Sequence, residues 1–353
     1  MKSLLLLSWV GCCLALIGAV GCNKNTGKTR VAFITNNDAS FWTIAEAGAK
    51  KAADEVGVDL LFRKPDGTVA KQKEEIESSL TRGVKAIAVS VINPKDQSGY
   101  LDEVAGKVPL ICQDNDAPKT KRLAYIGTDN YAAGRAAGKL VKEALGEAGG
   151  TVAIFVGTLE SLNAKQRRQG VIDELAGRPA PADTSEFVMS PDGETYGKYK
   201  MYTKTYTDLP EAGSKPKENA RDALNRIPAD ANVCMVGLYA YNPPAILSAV
   251  SDLPDEARRG RIKIVGFDED AGTLTAIKAG TIYATVVQDP FGFGYEGVKM
   301  LAALAKGDKT GLPKDGIKYI PYRIIAKEAS EVNGEKRLGV EAFSKELDKL
   351  LGK

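Results

Sequence analysis

The chain has 353 residues, 44% hydrophobic and 26% charged, with a net charge of +3 at pH 7, which is the profile of a globular protein long enough for two domains of ordinary size. So small a net charge, with no basic run carrying interleaved aromatics, argues against nucleic-acid binding. The sequence holds no histidine, which removes Ser-His-Asp, Cys-His and His-metal sites from consideration.

Residues 1–22 read as an export signal rather than as part of the fold. Lys2 supplies a minimal positive start, Leu4 to Val20 is largely apolar, and Ala19-Val20-Gly21-Cys22 closes the segment with small residues and a cysteine. The pattern resembles a bacterial lipoprotein signal, which implies that Cys22 becomes a lipid-bearing N-terminus and anchors the chain to a membrane without spanning it. A transmembrane anchor or an ordinary secretory peptide is the alternative. Either way the folded body is expected to face a cell-envelope compartment, after a short polar tether at 23–29. Cys112 and Cys234 are the cysteines of the body, and they are expected to be small buried core residues in different lobes rather than a disulfide.

Val31 to Ile34 predicts a short strand buried on both faces, and the polar loop Thr35 to Ser40 leads into a helix over Phe41 to Val56 with Ile44, Ala45, Ala49 and Ala52 on one side. Apolar runs then alternate with helical patterns. Leu60 to Phe62, Ala86 to Ile92, Leu110 to Gln113 and Ala124 to Ile126 are predicted strands, separated by helices near Val69 to Thr81 and Asp96 to Ala105. A second series has strands at Val152 to Val156, Glu186 to Ser190, Val233 to Leu238, Ile262 to Phe267 and Thr281 to Gln288. Its helices fall near Tyr131 to Ala148, Ala164 to Leu175, Lys217 to Arg226, Ala245 to Val250 and Ala271 to Ala279. This order predicts an α/β fold of two doubly wound parallel-sheet lobes with a ligand cleft between them. The tyrosine- and glycine-bearing segment Pro191 to Pro216 fits neither series and reads as an insertion in a surface loop. The charged tail beyond Ala329 predicts one amphipathic helix near Val340 to Leu351.

Six short signatures occur in order: Ser40-Phe41-Trp42, Ile92-Asn93-Pro94, Ile126-Gly127-Thr128-Asp129-Asn130, Gln166-Arg167-Arg168-Gln169-Gly170, Val265-Gly266-Phe267-Asp268, and Thr285-Val286-Val287-Gln288-Asp289-Pro290. On these, the chain from Arg30 to about Ala326 resembles the type I periplasmic sugar-binding proteins, the ribose-binding and LacI-effector superfamily. The resemblance implies lobes joined by three crossovers, near Thr128 to Asn130, Gln288 to Pro290 and Gly316 to Tyr319, closing like a hinged jaw. The N-terminal lobe would be 30–128 plus 289–315, and the C-terminal lobe 129–288 plus 316–353.

A sugar ring has C–H faces and hydroxyl edges, so a site for it pairs aromatic planes with charged or bidentate groups. Phe41 and Trp42 are expected to stack from one lobe, and Phe267, Tyr239 or Tyr241 from the other. Asp114, at a strand end, accepts from two hydroxyls. Arg167 matches the family's arginine, whereas its neighbour Arg168 reads as a solvated surface charge. By the same resemblance Asp268 and Gln288 face the cleft. Asn93 and Asn242 are expected there too, although Asn-Pro pairs also simply make turns. Thr35, Asn36 and Asn37 line the first loop. Asn115 stands where the family often has arginine, and Ala39 where it has asparagine.

The resemblance implies a lipid-tethered, monomeric receptor that captures a monosaccharide and delivers it to the membrane subunits of an ABC permease, with no cofactor, metal or catalytic residue. A sensor read by a membrane kinase or chemoreceptor is the alternative, and an enzyme on a similar scaffold ranks below both, since no carboxylate or lysine pair stands out. The export signal, with no helix-turn-helix before Arg30, points away from a cytoplasmic repressor. Gly292-Phe293-Gly294-Tyr295-Glu296-Gly297 matches a dinucleotide fingerprint. It lacks the acidic strand end that the fingerprint requires, so glycines allowing close helix packing are the better account.

Overall fold

The structure is a computed structural model and describes residues 27–209 and 213–352. The expected signal segment, Cys22 and most of the tether lie outside the described residues.

The first lobe opens with β1 (Arg30–Ile34), α1 (Phe41–Val56), β2 (Asp59–Arg63), α2 (Val69–Thr81), β3 (Ile87–Val89), α3 (Pro94–Ala105), β4 (Leu110–Gln113) and β5 (Ala124–Gly127). The chain crosses to the second lobe for α4 (Asn130–Leu145), β6 (Gly150–Val156), α5 (Leu162–Ala176), β7 (Thr195–Tyr196), β8 (Tyr199–Met201), β9 (Tyr206–Thr207), α6 (Lys215–Arg226), β10 (Val233–Gly237), α7 (Asn242–Ser251), α8 (Glu256–Arg261), β11 (Ile262–Phe267), α9 (Ala271–Ala279) and β12 (Ala284–Val287). It returns for α10 (Pro290–Leu304) and β13 (Ile317–Tyr319), then ends in the second lobe with β14 (Arg323–Ala326), β15 (Ser330–Val332), β16 (Glu335–Gly339) and α11 (Val340–Leu350).

The first sheet runs β13-β5-β4-β3-β1-β2, all parallel. Its central strands are apolar throughout because helices cover both faces. Val31 and Phe33 pack with α1 and α10, while Ala32 and Ile34 pack with Ile76, Leu101 and Val104 from α2 and α3. The second sheet runs β15-β16-β14-β12-β11-β10-β6-β8-β7, with β9 also on β6. Its centre, β12 to β8, is parallel, and β14 joins β12 antiparallel. Cys112 and Cys234 are free and buried, one in each lobe's core.

Several elements depart from expectation. Glu186 to Ser190 forms no strand, and Val188 is 94% exposed. The places beside β6 go instead to the expected loop insertion: β8 pairs with Gly150, Thr151 and Val152, and β9 with Phe155 and Val156. Tyr199, Met201 and Tyr206 are the reason, since they carry the buried apolar side chains that Glu186 to Ser190 lacks. The crossing expected near Gly316 to Tyr319 falls just after that stretch. Ile317, Lys318 and Tyr319 pair parallel with Tyr125, Ile126 and Gly127, so 317–319 belong to the first sheet and the chain crosses after them. Helix α7 starts at Asn242 rather than Ala245, and α8 was not foreseen.

Helices α1 and α10 touch backbone to backbone. A Cβ on Gly294 would stand 1.9 Å from the Ala45 carbonyl oxygen, and one on Gly48 2.1 Å from that of Phe291. Of the fingerprint-like stretch, Gly294 therefore serves helix contact, while Gly297 faces the Phe33 ring of β1 and Gly292 the Asp289 cap.

Candidate functional site

At the carboxyl ends of the two sheets, β4 and β11 are each followed by an aspartate in the left-handed region, Asp114 at φ 58° and Asp268 at φ 65°. Aspartate enters that region more readily than most residues because its short polar side chain can hydrogen-bond locally. The sharp turn places both carboxylates in the space between the lobes, where they are 4% and 5% exposed. Ser90 Oγ donates to Asp114 Oδ2 at 2.9 Å, and Gln288 Nε2 to Asp268 Oδ1 at 2.9 Å.

Arg167 of α5 shares the cleft with both and influences their charge. Its Nε donates to Asn130 Oδ1 at 2.8 Å and its Nη1 to the Leu238 carbonyl at 2.9 Å. The guanidinium lies over the Phe267 ring, 4.0 Å from its centroid, a stacking that lysine cannot reproduce. Arg167 Nη2 and Gln288 Oε1 are buried without a protein partner, so water or a bound molecule must satisfy them. Burial pushes the Asp114 carboxyl up to about 6, with Arg167 and the Ser90 hydrogen bond pulling it down and Asp268 pushing it further up. Burial raises Asp268 as well, opposed by Arg167 and Gln288.

The cleft is a cavity of about 70 Å³ that takes Asn36, Asn37, Ala39, Phe41, Trp42 and Asp114 from the first lobe's side. Asn163, Arg167, Tyr239, Ala240, Tyr241 and Asp268 close it from the second, with Gln288 at the crossing. A larger groove of about 680 Å³ runs beside it between α1, α9 and α11 and shares Phe41, Ala240 and Asp268 with it. The site is assigned to the smaller space because Arg167, Gln288 and the aspartates at the ends of both sheets meet there, whereas Arg167, Asp114 and Gln288 do not line the larger groove.

Of the residues expected from sequence, Phe41, Trp42, Asp114, Arg167, Tyr241, Asp268 and Gln288 line this cleft. Trp42 is also core, 1% exposed, with its indole N–H donating to Asn36 Oδ1 at 3.0 Å and its ring edge-on to Phe41. Phe267 is wholly buried beneath Arg167 rather than offered to a ring. Asn93 does not line the cleft: it caps α3, accepting from the Lys95 and Asp96 N–H groups and donating to Asp96. An asparagine followed by proline at the first helical position is an N-cap signature, so the sequence held that signal. Asn242 stands behind the wall, 1% exposed, with Oδ1 accepting from the Tyr239 N–H and Nδ2 donating to Asp208. Arg168 is not solvated: it is 2% exposed and donates to Thr205 Oγ1 and Asp192 Oδ1, both at 2.7 Å. The insertion covers the side of α5 that would otherwise be wet.

Asn163 and Asp208 were not foreseen. Asn163 precedes Arg167 by one helical turn, a spacing that puts both on one face and was legible. Asp208 had no signal, as it lies in the segment without periodicity.

Two α/β lobes joined by three passages of the chain, with opposed charges meeting between them, define a two-lobed binding protein of the type I architecture. Residues 31–309 match the periplasmic binding protein domain, and the chain belongs to that family. It is 25% identical over 300 residues to the ribose import binding protein RbsB of Salmonella typhimurium, across 84% of this chain and 90% of the relative. Among solved structures it resembles GanP, a glucose-galactose binding protein from Geobacillus stearothermophilus, with a TM-score of 0.72, 26% identity, and 85% and 98% of the two chains covered. It is also similar to an ABC transporter solute binding protein from Burkholderia graminis in complex with D-arabinose, with a TM-score of 0.71, 25% identity and coverage of 85% and 96%.

Proposed function

We propose that this protein is an extracytoplasmic receptor that captures a monosaccharide between its lobes and delivers it to an ABC permease, held at the membrane by lipid on Cys22. The observation that carries the reading is Arg167 Nη2 and Gln288 Oε1, left unpaired and buried between Asp114 on one lobe and Asp268 on the other. Those groups suit vicinal hydroxyls: a carboxylate accepts from two, and a guanidinium fork donates to two. Phe41, backed edge-on by the buried Trp42, supplies the apolar plane for the ring's C–H face. The relatives named for ribose, glucose, galactose and arabinose support the ligand class. Closure follows because contacts from both lobes exist only when the jaw is shut, so the sugar binds the closed form better and draws the population to it.

A thermal-shift screen of the chain from Asn23 to Lys353, refolded to strip carried ligand, tests this against pentoses, hexoses, polyols and nucleosides. A sugar at a hundred times its dissociation constant should add about 2.7 kcal/mol of stability and raise the midpoint. A panel in which nucleosides alone raise it would refute the sugar reading.

A further inference from the structure

The segment between α5 and α6 supplies the short strands beside β6, and it also sends one carboxylate into the back of the site. Asp208, just past β9, is 3% exposed. It accepts from the Tyr241 hydroxyl at 2.6 Å and from Asn242 Nδ2 at 2.9 Å, and Asn242 Oδ1 in turn takes the Tyr239 N–H at 3.1 Å. A single side chain thus holds both polar handles of the 238–242 loop, which forms the second lobe's wall of the cleft. Asp208 is itself fixed: its N–H donates to the Gly157 carbonyl at 3.0 Å. Upstream, Arg168 clamps Thr205 and Asp192 together, and Asp192 Oδ2 accepts from the Thr205 N–H at 2.9 Å. The tyrosines lie close on bare backbone, since a Cβ on Gly157 would come within 2.3 Å of the Tyr239 ring and 2.7 Å of the Tyr241 hydroxyl.

A phenol has one hydrogen to give and lone pairs to receive. Burial lifts the Asp208 carboxyl to about 6, with its two donors pulling the other way, so it is ionised above pH 7 and accepts only. The Tyr241 hydrogen is therefore committed away from the cleft, and its oxygen keeps acceptor capacity alone. We propose that Asp208 is a specificity-determining positioning residue: by taking the Tyr241 hydrogen it makes Tyr241 an acceptor, so that the cleft selects a sugar presenting a hydroxyl hydrogen there. This inference rests on the sugar-binding reading above.

The test titrates wild type, D208N, Tyr241→Phe and the double variant by calorimetry with D-ribose, D-arabinose, D-glucose and D-galactose, and with each sugar's monodeoxyfluoro forms. Fluorine occupies the hydroxyl's place and cannot donate. In wild type, fluorination at one position of the bound sugar should cost about tenfold in affinity, the worth of one good hydrogen bond. In D208N the introduced amide donates to the Tyr241 oxygen and turns the phenolic hydrogen toward the cleft, so the parent-to-fluoro ratio should collapse toward one. Tyr241→Phe should abolish the ratio alone, and D208N should add nothing to it in that background. A D208N variant that weakens parent and fluoro sugar equally overturns the proposal, because a merely structural carboxylate would do that. If wild type binds none of these four sugars, the wider panel judges the functional reading and ligand-free hydrogen exchange judges the positioning. Asp208→Ala should then speed exchange of the Tyr239 amide about tenfold against an unchanged β1, and an unchanged Tyr239 amide overturns the positioning role.

Discussion

Arg167 concentrates the chemistry of the site in one side chain. It stacks on Phe267, bonds across to Asn130 and the Leu238 carbonyl, and keeps one nitrogen unspent. Hydrogen bonds to a charged donor are worth about 1.5–3 kcal/mol each, so Arg167→Ala should weaken sugar binding by at least about tenfold in calorimetry. Affinity within twofold of wild type would remove Arg167 from the site. Asp114 makes a second prediction through pH. Its ordinary value in an unfolded chain is near 3.9 and burial lifts it to about 6 in the fold, so the folded form holds the proton more tightly. Its contribution to stability is then full below about 3.9 and is lost as pH rises through about 6. The empty protein's melting midpoint should fall between pH 5 and 7, and less so in Asp114→Asn, while sugar affinity should change the opposite way because a hydroxyl needs the ionised carboxylate. Asp208, also lifted to about 6 by burial, adds to the same slope in the variant. Identical midpoint profiles for wild type and Asp114→Asn would show that the carboxyl is not desolvated.

Packed elements set how far the site can be trusted to stay in place. The α1–α10 contact orients the first loop, and its closeness depends on glycine: a methyl on Gly294 meets the Ala45 carbonyl oxygen at 1.9 Å. Gly294→Ala should cost about 1–3 kcal/mol, as forced overpacking does, read as a lowered urea midpoint with an unchanged slope. Strands such as β1, β4 and β10 were legible because parallel strands buried on both faces are plain apolar runs. The Gly292 to Gly297 stretch was legible for the complementary reason, as a motif whose surroundings ruled out its better-known use. By contrast β7, β8 and β9 are two or three residues each, too short for any period to emerge, and Glu186 to Ser190 was preferred on apolar content alone. Arg168 was misjudged for the same cause: α5 is buried on nearly every side once the insertion covers it, and no pattern within the helix announces a cover supplied from elsewhere. Asp114 was legible as a charged strand end, where open α/β sheets hold ligands, whereas Asp268 rested on the resemblance.

At the scale of the molecule, the site exists only as a meeting of two bodies. Asp114 belongs to one lobe and Arg167 and Asp268 to the other, so a ligand touching all three must bridge the lobes. Small-angle scattering should show a radius of gyration that falls when a binding sugar is added to the stripped protein; an unchanged radius would argue against closure. The same divided architecture governs how the chain can assemble. The first lobe is begun at β1 but its sheet gains its last strand, β13, only after the second lobe's parallel core has passed by, and Arg122 donates to the carbonyl of Gly316, 194 positions along the chain. Contacts of such span are made late and slowly. The lobe that starts first is therefore finished nearly last, and a chain emerging from its N-terminus carries β5 as an open sheet edge until residues 317–319 arrive to cover it.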